Sequence, residues 1–252
     1  MKITAIIPAY NEGKYVRGVL TVLTKSIYID EVICVNDGST DNTLQEIQKV
    51  KKVSIINLKK NHGKGYAIAK GIEKSNGDII LFIDADLQFL NEKHIHKLID
   101  PLIKKKSDVS SGYPTFDENI LVKKIDTALR SISGERAYFK RDLLPILSKI
   151  KKKGYGLELY LNYVFKNKKT VVFPLKGVKH YQKYEKQSFD TIAKLHVIEA
   201  FDMLFELFNQ TQAMPQSIKK YLSRLYLNEP PQLKKKINTI LKKIKNKLIS
   251  SI

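Results

Sequence analysis

Residues 77–88 of this 252-residue chain read GDIILFIDADLQ, and the predicted architecture follows from this segment. An apolar run at 79–83 follows a turn-forming Gly-Asp pair and ends in two carboxylates one residue apart, Asp84 and Asp86. Short apolar runs rich in β-branched and aromatic residues are typical of strands buried on both faces of a parallel sheet. Ligands bind such sheets beyond the carboxyl ends of the strands, so we expect both aspartates to lie at a functional site.

Two interpretations explain the adjacent carboxylates. Hard oxygen ligands on a tight turn, with the amide oxygen of Gln88 nearby, suit Mg²⁺ or Mn²⁺ held jointly with a diphosphate. The alternative is a turn rich in aspartate that caps the next helix, which is the usual origin of an isolated D-x-D. The other strand ends of the chain favour the first interpretation.

The composition is that of a globular protein with an anionic partner. The hydrophobic fraction of 43% supports one sizeable domain plus an appendage, and no apolar stretch reaches the ~18 residues of a transmembrane helix. The strand-like start, KITAIIP, predicts that no secretory signal peptide is present. Cys34 is the only cysteine, which excludes a disulfide framework and favours the cytoplasm. The net charge of +20 points to nucleic acid, a membrane surface or a phosphorylated substrate.

Strands and helices are predicted to alternate through the first half of the chain. Three further strands are expected at 2–8, 31–36 and 53–58. A polar loop and a helical pattern follow each of them, which is typical of βαβ units and a mostly parallel sheet. The loops read AYNEG at 9–13, DGSTD at 37–41 and NHGKG at 61–65. Because the carboxyl ends of parallel strands share one edge, these loops should converge beside Asp84.

The residue types in these loops suit a nucleoside diphosphate. Asp37 and Glu12 are acceptors for a base or a ribose, and Tyr10 offers a flat face for stacking. The glycines beside Lys64 allow close approach of backbone to phosphate, and Lys64 adds a positive charge. Neither the P-loop spacing nor a G-x-G-x-x-G fingerprint is present. Taken together, the loops predict a nucleotide-diphosphate site with a divalent metal.

Four motifs resemble glycosyltransferase family 2 in their order and spacing: IIPAYNEG at 6–13, VNDGSTDNT at 35–43, NHGKGYA at 61–67 and DADLQ at 84–88. The resemblance covers residues 1–190 and implies a GT-A fold, in which a Rossmann-like, mostly parallel sheet is flanked by helices. It also implies a nucleotide-sugar donor and a divalent cation, Mg²⁺ or Mn²⁺. Asn36 departs from the pattern, because a VDDGS motif has an acid there.

The resemblance also implies roles for individual residues. DADLQ is similar to the motif of polyprenyl-phosphate hexose synthases, in which the two carboxylates and the glutamine gather round the metal. This implies Asp84, Asp86 and Gln88 as metal ligands, with Asp86 catalytic. The implied donor-binding residues are Pro8, Tyr10, Glu12, Asp37, Lys64 and Asp84.

A second likeness lies in the other half of the chain. SGERA at 133–137, GYGLE at 154–158 and His180 are similar to glucosyl-3-phosphoglycerate synthases. This implies that His180 completes the metal shell; the alternative is a surface histidine beside two tyrosines. Arg136 is the candidate for binding an acceptor phosphate, and the alternative is a surface ion pair with Glu135 or Asp142.

Glu158 is the best candidate for a catalytic base. An inverting transfer to a hydroxyl requires a carboxylate that accepts the acceptor's proton, and Glu158 lies at the start of a predicted helix, with Asp117 and Glu135 as weaker candidates. If the acceptor is a lipid phosphate, its oxygen is already anionic, and Glu158 would then orient other groups. The sequence leaves both roles open.

The predicted organisation has three parts: a GT-A catalytic domain at 1–187, a helical extension at 188–231 and a basic amphipathic tail helix at 232–252. Residues 233–252 hold seven lysines and no acid, with apolar residues on one helical stripe. Attachment to the inner face of an anionic membrane explains this segregation. The alternative is a helix that packs its apolar face on the domain.

The sequence therefore predicts an enzyme that transfers a hexose from a UDP- or GDP-sugar to polyprenyl phosphate or another membrane-proximal anionic acceptor. The first alternative is a soluble enzyme acting on a phosphorylated small molecule such as phosphoglycerate. The second, from a different class, is a basic nucleic-acid-binding protein. Nucleic acid is not expected as a partner, because the chain shows no zinc-ligand spacing, recognition-helix pattern or basic strands interleaved with aromatics.

Overall fold

The computed structural model describes residues 1–115, 133–154 and 156–180. Residues 1–182 form a compact unit, and the site described below belongs to it. The predicted helical extension at 188–231 and the predicted tail helix at 232–252 lie outside the described residues. The three predicted domain boundaries therefore stay predictions.

The elements alternate as expected along the first half of the chain. The strands are β1 Ile3–Ala9, β2 Glu31–Asp37, β3 Val53–Leu58, β4 Ile79–Phe82, β5 Leu87–Gln88, β6 Val109–Thr115, β7 Glu135–Phe139, β8 Thr170–Lys176 and β9 Lys179–His180. The helices are α1 Val16–Lys25, α2 Thr43–Gln48, α3 Lys64–Lys74, α4 Glu92–Ile103, α5 Lys140–Leu143, α6 Leu147–Ile150 and α7 Leu157–Val164, with a 3₁₀ turn at Leu144–Ile146.

Seven strands form the main sheet in the order β3-β2-β1-β4-β7-β6-β8. Neighbouring strands are parallel throughout β3, β2, β1 and β4, and again between β6 and β8. Among these seven described strands, only β7 runs the other way, antiparallel to both β4 and β6. The mostly parallel sheet with flanking helices that the sequence predicts is therefore confirmed.

The core lies on both faces of the sheet. Ala5 and Ile7 of β1 pack with residues of α1 and α4 on one face, and Ile6 packs with Ile68 of α3 on the other. This alternation is the period of a strand. Every residue of β4 is buried, because this central strand is covered on both faces, and that coverage explains its unbroken apolar run.

A second sheet consists of two strands, β5, which is the next strand after β4 in the chain, and β9. β5 pairs antiparallel with β9, so that Leu87 lies opposite His180 and Gln88 opposite Lys179. This pairing fixes the backbone after Asp86 and brings a distant part of the chain to it.

Candidate active site

The polar loops that follow β1, β2 and β3 meet at one edge of the sheet, as predicted. The backbone N–H of Asn11 donates to Oγ of Ser39 (3.0 Å), and the N–H of Thr40 donates to Oδ1 of Asn11 (2.9 Å). Asn11 has a φ of 56°, a conformation that asparagine tolerates better than most residues. These bonds tie the β1 loop to the β2 loop across 29 residues of sequence.

The predicted donor-binding residues of the β1 loop lie at this edge. Tyr10 is 45% exposed, while Pro8 and Glu12 are half-buried. The backbone N–H of Glu12 donates to Oγ1 of Thr43 (2.8 Å), which anchors the loop to the first turn of α2. The exposed ring of Tyr10 remains accessible for stacking.

Asp37 joins two loops. Its buried carboxylate accepts hydrogen bonds from the backbone N–H groups of His62 (2.9 Å) and Gly63 (2.8 Å). Burial raises the pKa of Asp37 above its usual value, although the two hydrogen bonds act in the opposite direction. Gly63 has a φ of 95°, which favours glycine. Asp37 thus positions the segment that leads into Lys64.

Asn36, which departs from the VDDGS pattern, lies inside the sheet edge. Its Nδ2 donates to Oδ1 of Asn57 (2.8 Å), and its Oδ1 accepts from the N–H of Ser39 (3.3 Å). An amide supplies both a donor and an acceptor. It therefore links β2 with β3 and with its own loop.

Lys64 lies between two carboxylates. Its Nζ is 2.8 Å from Oδ1 of Asp84 and 2.7 Å from Oε1 of Glu158. The exposed fractions of the three side chains are 27%, 23% and 10% for Lys64, Asp84 and Glu158. Burial disfavours the ammonium, but the two ion pairs outweigh it and hold the pKa of Lys64 above its usual value. The structure therefore brings together three residues that the sequence assigned to separate roles.

Gly65 determines how closely α3 approaches the turn before α7. Its N–H donates to the carbonyl oxygen of Lys153 (3.1 Å), and a Cβ at this position would lie 2.3 Å from the carbonyl oxygens of both Ile150 and Lys153. α7, which follows that turn, carries Glu158 in its first turn. The contact at Gly65 thus sets the distance between Lys64 and Glu158. Sequence reasoning missed this role, although a glycine at the second position of a helix is a signal that needs a packing reason.

We expect Gly65→Ala to lower the free energy of unfolding by about 2 kcal/mol, because the added methyl meets backbone oxygens that cannot rotate away. Urea unfolding followed by circular dichroism measures this difference. Gly18→Ala is the matched control, since no heavy atom lies within 4 Å of its Cβ on helix α1. That control should gain up to about 1 kcal/mol. Equal midpoints for the two variants would contradict the close contact at Gly65.

Gly134 lies directly against Asp84. A Cβ on Gly134 would be 2.4 Å from Oδ2 of Asp84 and 2.8 Å from its Cγ. This contact gives the SGERA motif of the second half a geometric reason, because SGERA places a residue without a side chain beside the first carboxylate of DADLQ. The Asp84 carboxylate is held between this glycine and the Lys64 ammonium.

We expect Gly134→Ala to reduce kcat/KM for the predicted hexose transfer on the order of 100-fold. The added methyl would displace the Asp84 carboxylate, and a shift of about 1 Å in an active site is enough for a loss of that size. Steady-state kinetics and thermal melting of the same preparation separate this effect from unfolding. Gly18→Ala again serves as the control and should keep full activity. A Gly134→Ala enzyme as active as the control would show that the position of Asp84 is not critical.

The other predicted metal ligands are Asp86 and Gln88, which follow Asp84 in the chain, and His180, which lies on β9. Asp86 and Gln88 are half-buried, and the β5–β9 pairing places the backbone of His180 opposite Leu87, between them. Among the described side chains, no group of three or more His, Cys, Asp or Glu residues lies together in a way that could hold a metal ion by itself. Two carboxylates and an amide suit a divalent cation that takes its remaining ligands from a diphosphate and water. The donor set therefore fits the predicted cation.

Arg136 lies in the protein interior and is 3% exposed. Its Nε donates to the carbonyl oxygen of Ser133 (2.6 Å), and its Nη1 donates to the hydroxyl of Tyr138 (3.2 Å) and to Oδ1 of Asn162 (2.6 Å). The alternative of a surface ion pair is wrong, because the side chain is buried. These contacts favour a role in joining β7 to α7 over direct contact with an acceptor phosphate.

The two weaker candidates for the base fall in different places. Glu135 is fully buried, and Ser133 donates its hydroxyl hydrogen bond to Glu135 Oε2. Asp117 lies outside the described residues. Glu158, at 10% exposed and in contact with Lys64, is the candidate that shares a cluster with Asp84.

Comparison with known proteins identifies a family model and several relatives. The model of Glycosyl transferase family 2 matches residues 4–150. An uncharacterized glycosyltransferase of Synechocystis is 39% identical over 108 residues, which are 40% of this chain and 34% of the relative. Poly-beta-1,6-N-acetyl-D-glucosamine synthase of Staphylococcus aureus is 31% identical over 162 residues, which are 55% of this chain and 39% of the relative. The chain spans well under half the length of these curated relatives.

The solved structures extend the likeness to most of the chain. Glucosyl-3-phosphoglycerate synthase from Mycobacterium tuberculosis, crystallised with Mn²⁺, UDP and glucosyl-3-phosphoglycerate, matches with a TM-score of 0.66 and 20% identity. The match covers 85% of this chain and 81% of that one. At this identity the likeness concerns the fold, and it confirms the predicted GT-A fold. Within the described residues, no helix has the length and apolarity needed to cross a bilayer.

Proposed function

This chain belongs to glycosyl transferase family 2, and from that premise we propose that it transfers a hexose from a UDP- or GDP-sugar to polyprenyl phosphate or another membrane-proximal anionic acceptor. One observation carries the proposal: where β4 ends, the Lys64 ammonium lies 2.8 Å from a carboxylate oxygen of Asp84 and 2.7 Å from one of Glu158, so that the three residues form a single charged cluster. A group that binds phosphate, a group that binds a cation and a group that accepts a proton therefore lie together.

The donor would lie across the loops at this sheet edge. The exposed ring of Tyr10 would stack on the donor's base. Pro8 and Glu12, from the same segment, would contact the donor beside it. Asp37 would contact the base as well as holding its loop, because each carboxylate oxygen can accept more than one hydrogen bond. Lys64, the first residue of α3, suits the diphosphate, because its ammonium and the positive end of the helix dipole both attract anions.

Asp84, Asp86, Gln88 and His180 would hold the Mg²⁺ or Mn²⁺. A bound cation would neutralise the charge that develops on the departing nucleotide diphosphate. The presence of Mn²⁺ or Mg²⁺ together with UDP in crystals of the structurally similar synthase supports this choice of metals. The β5–β9 pairing keeps the turn that carries both carboxylates in place.

The proposed acceptor is based on the net charge of the chain and on its basic C-terminal segment. The net charge of +20 favours an anionic partner, and the basic tail at 233–252 would place the enzyme peripherally on the inner, cytoplasmic face of an anionic membrane. A second candidate is a soluble enzyme with a phosphorylated small-molecule acceptor. The likeness of fold to a synthase crystallised with phosphoglyceric acid favours it.

Two chains distinguish these acceptors. The full-length enzyme and a variant that ends at residue 232 are each supplied with UDP- and GDP-hexoses and either polyprenyl phosphate in anionic vesicles or 3-phosphoglycerate. The proposal predicts transfer to the lipid by the full chain and a loss of at least roughly tenfold without the tail, because surface attachment raises the local concentration. Transfer to phosphoglycerate alone, unchanged by truncation, would establish the soluble alternative. A salt-sensitive nucleic-acid complex that Asp86→Ala leaves unchanged, without any transfer, would favour the nucleic-acid-binding class.

A further inference from the structure

The Lys64 ammonium pairs with a carboxylate oxygen of Asp84, a residue that the proposed cation would also bind. Its Nζ lies 2.8 Å from Oδ1 of Asp84, a normal distance for a charge-assisted hydrogen bond. We propose that Lys64 competes with the divalent cation for Asp84, so that the cation binds tightly only together with the donor diphosphate, which draws the ammonium away. This inference rests on the proposed function and concerns the order in which cation and donor load the same site.

Competition follows from charge. A carboxylate that ligates Mg²⁺ or Mn²⁺ and also pairs with an ammonium would hold two positive charges within a few ångströms, where they repel each other. One of the two must leave or weaken. The ammonium is the mobile partner, because it is carried by a flexible four-carbon stem, whereas Asp84 is packed against Gly134.

The backbone of Lys64 is fixed on both sides. The preceding residue, Gly63, donates its N–H to Asp37 (2.8 Å), and the following residue, Gly65, donates to the carbonyl oxygen of Lys153 (3.1 Å). The first turn of α3 therefore stays in place while the side chain changes partner. Any movement that cation binding requires is a rotation of the Lys64 side chain.

The position of Lys64 in its helix points to the partner that draws it away. Lys64 is the first residue of α3, and the first turn of this helix contains no acid. A lysine at a helix N-terminus interacts unfavourably with the positive end of the helix dipole. The ammonium and the dipole together, however, attract anions strongly. A diphosphate beside this turn would compete with Asp84 and Glu158 for the ammonium.

Glu158 keeps the ammonium near the site in the meantime. Its side chain is only 10% exposed and lies 2.7 Å from Nζ, so loss of this contact would leave a largely buried carboxylate without its cation. Lys64 thus shields two carboxylates at once. Removal of its charge should leave a site that attracts a divalent cation even without nucleotide.

Mn²⁺ binding measured by electron paramagnetic resonance tests this directly, without any need for turnover. For the wild type, we expect weak binding of Mn²⁺ alone and at least tenfold tighter binding when UDP or GDP is added. Lys64→Met should bind Mn²⁺ alone at least tenfold more tightly than the wild type. Lys64→Arg retains the charge and should bind Mn²⁺ alone as weakly as the wild type does. Lys70→Met is the matched control, since Lys70 lies on the same helix and pairs with Glu73 instead (2.8 Å).

Thermal melting adds a second readout on the same proteins. Lys64→Met should melt at a lower temperature than the wild type, because Asp84 and Glu158 lose their shared cation, and Mn²⁺ should raise its melting temperature more than that of the wild type. If Lys64→Met binds Mn²⁺ alone no more tightly than the wild type, while the wild type does bind it with UDP or GDP, the inference is overturned and the proposed function stands. If no variant binds Mn²⁺ with either nucleotide, the proposed metal-dependent function fails, and this inference fails with it.

Discussion

Asp86→Ala should lower the rate of hexose transfer by roughly a thousandfold, equivalent to about 4 kcal/mol in the activation free energy. Asp86 lies on the turn between β4 and β5, half-buried and two residues after Asp84. Loss of one of two carboxylates weakens the hold on a cation that contributes several kcal/mol of charge stabilisation. Because the turn is held by the β5–β9 pairing, the variant should still fold.

The rate is measured as product formed per enzyme at saturating donor and Mn²⁺. Asp78→Ala is the matched control, because Asp78 directly precedes β4, at the opposite end of that strand from Asp86, and its Oδ2 accepts a hydrogen bond from the backbone N–H of Lys2 (2.8 Å). It should lose at most about 1 kcal/mol of stability and keep its activity. Similar transfer rates for the two variants would show that Asp86 does not bind the metal.

Glu158→Gln should reduce transfer to a hydroxyl acceptor by roughly 100- to 10,000-fold, because the amide cannot accept the proton that a carboxylate accepts. Transfer to a lipid phosphate should fall less than about tenfold, since that oxygen needs no base. The variant therefore reports the acceptor class as well as the role of Glu158. The two rates are compared on one preparation, with the donor at the same concentration.

Glu73→Gln is the control for Glu158→Gln. Glu73 is an exposed glutamate of α3 that pairs with Lys70 and Lys151, and its loss should leave both transfers unchanged. Full activity of Glu158→Gln toward a hydroxyl acceptor would exclude Glu158 as the base. A large loss with a phosphate acceptor would instead indicate that Glu158 acts by orienting Lys64.

The architecture of the first half could be predicted because it depends on local patterns. The apolar run of β4 predicted burial on both faces, and the parallel strands placed their polar loops at one edge. The structure confirms this for β1 to β4. The antiparallel insertion of β7 between β4 and β6 was not predicted, because the apolar pattern of a strand does not contain its direction.

The central contact of the site could not be predicted. Lys64 and Glu158 are 94 residues apart, and their contact depends on how closely α3 approaches the turn before α7, which Gly65 sets. Arg136 illustrates the same limit: charged residues are rarely buried, and its partner Asn162 lies on a different element. Motifs identify residue types at strand ends, whereas the packing of the second half determines which of them touch.

The most direct test is the release of nucleotide from UDP- and GDP-hexoses by the wild-type chain, in Mn²⁺ and in EDTA. The proposed function predicts release of one nucleotide, UDP or GDP, at a rate that EDTA reduces to that of Asp86→Ala. That result would establish a metal-dependent nucleotide-sugar site and name its base. Absence of binding and turnover with every donor, with or without metal, would contradict it.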